Sequence, residues 1–142
     1  MEQIAVTHVS KDFPDASGKP FSALRDISFV WTKGENISLM GESGSGKSTM
    51  ARLLIGLDRP TQGKILMDGE DTSKWSYNQW RIHRTKVQAV FQDATGSLNR
   101  QFSVARNLED ALRNLTKLTS QERKARILEL MDLTATSRKL LD

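Results

Sequence analysis

The 142-residue chain contains no cysteine, only three prolines, few aromatic residues and no long apolar run. The absence of cysteine excludes disulfide bonds and thiolate metal sites, and it is typical of a reducing compartment. The short apolar runs predict no membrane-spanning helix. The two histidines, His8 and His83, lie far apart, with no Asp, Glu or His at metal-ligand spacing. We therefore expect both to be surface residues rather than metal ligands.

The overall composition is that of an ordinary soluble globular protein. Hydrophobic residues make up 37% of the chain and charged residues 27%, both close to the usual values. The net charge of +4 is spread along the chain, which is better explained by solvated side chains than by a nucleic-acid-binding face. Trp75 and Trp80 are likewise interpreted as packing residues, and we expect no nucleic-acid partner. The length predicts one domain or part of a larger one.

Residues 41–49, with the sequence GESGSGKST, match the phosphate-binding pattern G-x-x-x-x-G-K-[ST]. Glycine permits positive φ and close backbone approach, so successive N–H groups can point at an anion. A helix that starts at Lys47 would add unpaired N–H donors and the positive end of its dipole. We predict that Lys47 contacts the β- and γ-phosphates, that Ser48 binds Mg²⁺ and that Thr49 can reach the α-phosphate. The predicted nucleotide contacts in the loop are Gly41, Ser43, Gly44, Ser45, Gly46, Lys47, Ser48 and Thr49.

The segments on either side of this loop favour phosphate binding over a chance glycine-serine turn. Residues 36–40 predict a short apolar strand that leads into the loop after a tight turn at residues 32–35. Residues 49–57 predict a helix, because Met50 and three leucines recur there at helical spacing. A strand, a glycine loop and a helix in this order are the context that the motif requires.

The rest of the pattern predicts an α/β fold. Alternating apolar residues at 4–9 and 23–31 predict two antiparallel strands joined by a hairpin-type connection. Ser76 and Ser120 are the residue type that caps helix N-termini. Further strands are predicted at residues 64–67 and 87–91, and helices at residues 76–85, 103–114 and 120–133.

Three features together resemble the ATP-binding subunit of an ABC transporter. They are the loop at residues 41–49, the turn at residues 58–63, and the run Val90-Phe91-Gln92-Asp93 followed by Ser97-Leu98-Asn99. The last run is most similar to the branch that imports oligopeptides, dipeptides, nickel and metal–chelator complexes. The resemblance covers nearly the whole chain and implies an incomplete P-loop NTPase fold of the ABC ATPase type, with an N-terminal antiparallel β-subdomain, a P-loop strand–helix core and the start of a helical subdomain. One departure is Arg100, where that branch often has proline.

The resemblance also implies roles for two residues outside the phosphate loop. Gln92 would be the glutamine-loop residue that contacts Mg²⁺ and the attacking water and signals to the membrane subunits. An amide suits this role because it can bind a hard cation or orient a water molecule without titrating. Phe13 falls where the family has an aromatic residue that stacks on adenine, although a single loop aromatic is equally consistent with packing. The implied ligands are ATP and Mg²⁺, with Lys47 and Gln92 as catalytic residues and Ser48 and Gln92 as metal contacts.

The implied full-length protein is an ATP hydrolase that powers import of a peptide, nickel or metal-chelate solute from the cytoplasmic side of the cell membrane. Its implied partners are a second ATPase subunit, in a homo- or heterodimer, and transmembrane permease subunits, with a solute-binding protein acting indirectly. Residues 1–92 would form the N-terminal part of the ATPase core. Residues 93–142 would begin the α-helical subdomain, so that the chain is one partial ABC domain.

Several motifs of the family are not found in the 142 residues. They are an LSGGQ-type signature, a strand ending in Asp before a catalytic Glu, and a switch histidine. Because the signature would be expected shortly after Asp142, the sequence indicates the N-terminal part of a cassette. We expect this polypeptide to bind ATP or ADP weakly and to hydrolyse it negligibly. Its parallel sheet would lack strands and leave one edge open.

Three other interpretations compete with the importer. A small P-loop kinase is disfavoured, because two strands precede the loop and a glutamine loop follows it. A non-transport ABC ATPase shares the phosphate loop, and only the run from Phe91 to Asn99 favours the importer branch. A structural or regulatory fragment would bind no nucleotide at all.

Overall fold

The computed structural model describes residues 1–92, 96 and 98–141. The chain forms two compact units, Met1–Val87 and Gln88–Asp142. Within the described residues, no helix is both long enough and apolar enough to cross a membrane. The predicted division into an ATPase core at residues 1–92 and a helical subdomain at residues 93–142 stays a prediction.

The first unit is built on a four-stranded antiparallel sheet with the strand order β2-β1-β3-β4. The predicted pairing of the first two strands is confirmed, and the pair extends further than predicted, up to Pro14 and Pro20. In the turn between them, the Asp15 carboxylate accepts hydrogen bonds from the backbone N–H groups of Ser17 and Lys19. The strands are β1 Gln3–Pro14, β2 Pro20–Thr32, β3 Gln62–Met67 and β4 Glu70–Asp71.

The core of the first unit joins this sheet to helix α1, Lys47–Leu54. Met50 and Leu53 are buried, as their helical spacing predicts, but α1 ends at Leu54 rather than at the predicted Leu57, which is 49% exposed. An apolar helix stripe packed on one face of a sheet determines where the helix lies. The glycine loop at the N-terminus of α1 is therefore positioned by the same core. The buried residues of this core are Ile4, Val6, Val9, Leu24, Met50, Leu53, Ile65 and Met67.

The two strands predicted at residues 36–40 and 87–91 are not strands in the structure. A strand exists through hydrogen bonds to a neighbouring strand, and neither segment pairs with one in the part of the chain that the structure describes. Their apolar side chains are consequently exposed: Met40 is 91% exposed and Val90 97%. The residue pattern indicated a strand but carried no information about whether a pairing partner is present.

The β3–β4 hairpin and a second helix complete the first unit. Asp68 and Gly69 form the predicted turn, with φ values of 50° and 83°. A short 3₁₀ helix, Thr72–Lys74, leads into helix α2, Tyr77–Lys86. Ser76 caps α2 as predicted, in a capping box with the glutamine three residues later.

The predicted surface position is confirmed for His8 and wrong for His83. His8 is exposed, and its Nδ1 lies 2.6 Å from Asp26 Oδ1. His83 is only 5% exposed, and its ring centroid lies 5.3 Å from that of Trp75 and 5.6 Å from that of Trp80. Burial lowers the pKa of His83 below its ordinary value, so the ring is neutral at pH 7. The two tryptophans are packing residues, as predicted.

The second unit consists mainly of two helices, α3 Val104–Leu115 and α4 Ser120–Leu133. Both helices were predicted, but the predicted cap of α4 was wrong by one residue. Thr119, not Ser120, is the cap: its hydroxyl accepts the N–H of Glu122, and the Glu122 carboxylate accepts the N–H of Thr119. The reciprocal bond needs a glutamate or glutamine three positions after the cap, and Thr119 satisfies that spacing whereas Ser120 does not.

Candidate functional site

The glycine loop ends directly at the first turn of α1. Gly44 and Gly46 have φ values of +84° and +91°, in the left-handed region that glycine adopts without strain. The helix begins at Lys47, as predicted. The N–H groups of a first helical turn have no carbonyl acceptor within the helix, and the positive end of the helix dipole lies beside them. Loop and helix together therefore offer backbone donors to an anion.

The Lys47 ammonium is held inside the loop by three oxygen atoms. Its Nζ donates to the Gly41 carbonyl at 2.8 Å, to the Glu42 carbonyl at 2.6 Å and to Ser45 Oγ at 3.3 Å. An ammonium group carries three protons, so the loop supplies one acceptor for each. The positive charge is thereby fixed beside the first turn of α1. A bound phosphate would compete with these oxygens for the same protons.

Gly46 is the point at which the loop meets strand β2. A Cβ atom at this position would lie 2.5 Å from the Ala23 carbonyl oxygen and 2.7 Å from Leu24 Cδ2. Both distances are shorter than van der Waals contact, so no side chain fits there. Leu24 is itself buried in the core, and the loop is therefore packed directly on the sheet. Sequence reasoning missed Ala23 and Leu24, because the contact joins segments that are distant in the chain.

The remaining residues of the loop are mostly exposed. The Ser45 N–H donates to the Glu42 carbonyl at 3.2 Å and closes a turn. Ser43 and Ser48 are exposed, and Thr49 is half-buried. The structure therefore brings the predicted loop contacts together in one compact loop, and it leaves the Ser48 hydroxyl accessible. Their roles toward a nucleotide stay predictions.

Phe13 and Gln92, the other two predicted site residues, lie outside the loop. Phe13 is near the end of β1 and is 36% exposed, and Lys11 Nζ lies 4.9 Å from its ring centroid. Gln92 is exposed and belongs to the second unit. Stacking of Phe13 on adenine and the role of Gln92 stay predictions. Asp93 and Ser97, which contribute to the family resemblance, lie outside the described residues.

The far end of α1 carries an ion pair. Arg52 Nε, in the last turn of the helix, donates to Asp58 Oδ2 at 2.6 Å. This hydrogen bond holds the pKa of the Asp58 carboxyl below its ordinary value. A cation in the last turn also lies beside the negative end of the helix dipole, which stabilises the helix.

The donor groups of the chain fit Mg²⁺ that arrives with a triphosphate better than a resident metal ion. Among the described residues, no three His, Cys, Asp or Glu side chains are grouped so that they could hold a metal. Mg²⁺ is usually held by one or two protein oxygens together with substrate phosphates and water. The exposed Ser48 hydroxyl, next to Lys47 in the first turn of α1, is such an oxygen.

Comparison with known proteins gives a family match over residues 24–142, to the family described as ABC transporter. The chain is 46% identical over 99 residues to the nickel import ATP-binding protein NikE of Pseudomonas putida. The aligned segment covers 70% of this chain and 36% of the relative. The chain is 40% identical over 121 residues to the protein of the same name from Brucella suis biovar 1, covering 85% of this chain and 46% of the relative. The chain thus spans less than half the length of these two relatives.

Two solved structures have the same fold. The dimeric bacterial ABC transporter cassette MJ0796 is 28% identical with a TM-score of 0.82, covering 98% of this chain and 60% of that chain. The protein cbiO1 from Clostridium perfringens, part of the ABC transporter complex cbiONQ, is 26% identical with a TM-score of 0.69, covering 100% of this chain and 54% of that chain. Because the family match covers most of the chain and the fold recurs in both cassettes, the chain belongs to the ABC transporter family.

Proposed function

We propose that this chain is the ATP-binding part of an ATPase that powers nickel import across a membrane. The observation that carries the proposal is the Lys47 ammonium fixed within a glycine loop at the N-terminus of α1. Such a loop recognises a phosphate chain, and family membership supports ATP as the triphosphate. Nickel is supported by the relatives, since both are nickel import ATP-binding proteins. Peptides and metal chelates are the solutes that the branch resemblance leaves as alternatives.

The phosphate chain of ATP would be held mainly by backbone groups. The N–H groups of the loop and of the first turn of α1 would bind the β- and γ-phosphates, and Lys47 would exchange loop carbonyls for phosphate oxygens. Thr49 would reach the α-phosphate, and Phe13 would stack on the adenine ring. The loop residues proposed as nucleotide contacts are Gly41, Ser43, Gly44, Ser45, Gly46, Lys47, Ser48 and Thr49.

Mg²⁺ would be held by the Ser48 hydroxyl and by the side-chain oxygen of Gln92. When bound, it neutralises part of the charge on the phosphates. Gln92 is also proposed to orient the attacking water through its amide, which has both a donor and an acceptor and does not titrate. These assignments make Lys47 and Gln92 the catalytic residues of the complete protein.

The partners and the location of the complete protein follow from the same proposal. It would pair with a second ATPase subunit and bind permease subunits at the cytoplasmic side of the cell membrane, and a solute-binding protein would deliver the solute. The helical segment from residue 93 onward would begin the subdomain that meets the permease, and residues 1–92 would belong to the nucleotide-binding core.

Ser48→Ala is expected to weaken ATP binding about tenfold in the presence of Mg²⁺, the scale of one lost bond to a charged group. With EDTA in place of Mg²⁺, the affinity should equal that of the wild type, because the hydroxyl acts through the metal ion. Titration calorimetry with ATP measures both constants. Ser120→Ala, at an exposed serine in the first turn of α4, is the matched control and should bind like the wild type. Equal losses with and without Mg²⁺ would remove Ser48 as a metal ligand, and the absence of heat with wild-type chain and Mg-ATP would overturn the proposed function.

Deleting the gene in its native host is expected to reduce accumulation of radioactive Ni²⁺ in the cells. A wild-type copy should restore accumulation and a Lys47→Ala copy should not, because transport depends on ATP binding. Uptake of a labelled dipeptide is measured in the same cells and compared with nickel uptake. Loss of dipeptide uptake with unchanged nickel uptake would reassign the solute to a peptide.

A further inference from the structure

Two residues of α2 contact the chain just beyond the C-terminal end of α1. The indole of Trp80 lies so close to Gly56 that a Cβ there would be 2.0 to 2.5 Å from three of its ring atoms. The Arg84 guanidinium donates through one terminal nitrogen to the Gly56 carbonyl at 3.2 Å. The guanidinium also lies 6.0 Å from the Trp80 ring centroid. These three residues, Gly56, Trp80 and Arg84, form what we call the Gly56 clasp.

Local sequence explains why the clasp forms. Trp80 and Arg84 are four residues apart on α2 and therefore lie on the same face of the helix. Gly56 has φ +70° and follows the C-cap residue Ile55, the position at which glycine commonly ends a helix. Carbonyls at the end of a helix lack partners within the helix, and Arg84 supplies a charged donor to the carbonyl that follows them. The glycine is therefore needed both for its backbone conformation and for the space that the indole occupies.

Helix α1 depends on such contacts because it is short. It has eight residues, of which two are fully buried, and a helix of this length is not stable without tertiary packing. Gly46 fixes its first end against the Ala23 carbonyl, and the Gly56 clasp holds the chain at its other end. At 1.5 Å per residue the helix is roughly 12 Å long, so a shift or tilt at the clasp is carried to Lys47 as a rigid-body movement.

We propose that Trp80 and Arg84 are positioning residues for the nucleotide site. They set the position of α1 against the sheet, and with it the position of Lys47 and Ser48. The inference rests on the proposed function in one respect, that the loop binds a nucleotide. Because coupling between two sites is reciprocal, a nucleotide at the N-terminus of α1 also changes the surroundings of Trp80.

Arg84→Ala removes the carbonyl bond and is expected to weaken Mg-ATP binding about two- to thirtyfold, the range found for residues that act through another element. Arg84→Lys keeps a cationic donor for the Gly56 carbonyl and should bind Mg-ATP more tightly than Arg84→Ala. Arg81→Ala, at an exposed arginine of the same helix, is the matched control and should bind unchanged. Calorimetry gives the dissociation constants, and thermal unfolding is recorded in parallel. A lower melting temperature with an unchanged dissociation constant would show a merely structural role and overturn the inference.

Emission from Trp80 provides a second test that leaves the clasp intact. In a Trp31→Phe, Trp75→Phe variant, Trp80 is the remaining tryptophan of the three in the chain. Mg-ATP is expected to change its emission, and adding Lys47→Ala should remove that change. If calorimetry shows binding of Mg-ATP but the emission does not change, the inference is overturned and the proposed function is not. Absence of Mg-ATP binding by the wild-type chain would overturn the proposed function and the inference together.

Discussion

Lys47→Ala is expected to weaken Mg-ATP binding about 10- to 100-fold, the largest loss of any single substitution in the loop. Charged hydrogen bonds each contribute about 1.5–3 kcal/mol net, and a tenfold change corresponds to about 1.4 kcal/mol. Lys47 donates to three loop oxygens and would exchange loop carbonyls for phosphate oxygens, so the expected loss corresponds to about one charged hydrogen bond. Titration calorimetry of wild type and variant measures the loss directly.

Lys33→Ala is the matched control for this substitution. Lys33 is exposed and pairs with Glu2 at 2.7 Å on the surface of the first unit, so its removal changes the net charge by the same amount. Its binding should equal that of the wild type, because exposed ion pairs contribute little. If Lys47→Ala and Lys33→Ala bound Mg-ATP equally, Lys47 would be no more than a structural residue that ties the loop to Gly41 and Glu42.

The elements that sequence predicted correctly are those with a local signal. Alternating apolar residues predicted the β1–β2 pair, and helical spacing of Met50 and Leu53 predicted the buried face of α1. Ser76, as a residue type that caps helices, predicted the start of α2. Each of these signals lies within one turn or one strand, so it can be recognised from neighbouring residues alone.

The incorrect predictions depend on contacts that a local residue pattern does not reveal. Residues 36–40 and 87–91 have the composition of buried strands, but strand formation requires a partner that composition does not reveal. His83 has neighbours of ordinary polarity on α2, and its burial follows from the way Trp75 and Trp80 pack around it. A single histidine in a helical pattern does not indicate whether its side chain is buried.

The features of the candidate site also fall into those that the sequence predicted and those that it did not. The motif at residues 41–49 predicted the loop, the positive φ angles and the start of the helix at Lys47. It did not predict that Gly46 contacts the Ala23 carbonyl, or that α2 holds the chain beyond the other end of α1 through the Gly56 clasp. These contacts decide where the loop lies, and they come from packing between elements rather than from the motif.

Gly46→Ala is expected to destabilise the first unit by about 2–5 kcal/mol. A non-glycine residue at φ +91° costs about 1–2 kcal/mol. The new methyl group would also lie 2.5 Å from the Ala23 carbonyl oxygen and 2.7 Å from Leu24 Cδ2, and overpacking of this kind costs about 1–3 kcal/mol more. Neither neighbour can move easily, since one is backbone and the other is buried in the core. Urea unfolding followed by tryptophan fluorescence measures the loss as a lower midpoint.

Gly44→Ala separates the cost of the backbone conformation from the cost of the steric clash. Gly44 also has a positive φ angle, but a side chain at this position would contact no other residue. Its φ is +84°, and a Cβ atom there meets nothing within 4 Å. The expected loss is about 1–2 kcal/mol, from the backbone conformation alone. The difference between the two variants therefore measures how tightly the loop is pressed against β2. Equal losses would mean that the loop moves away from Ala23 at no cost, and that the sheet does not hold the start of α1 in place.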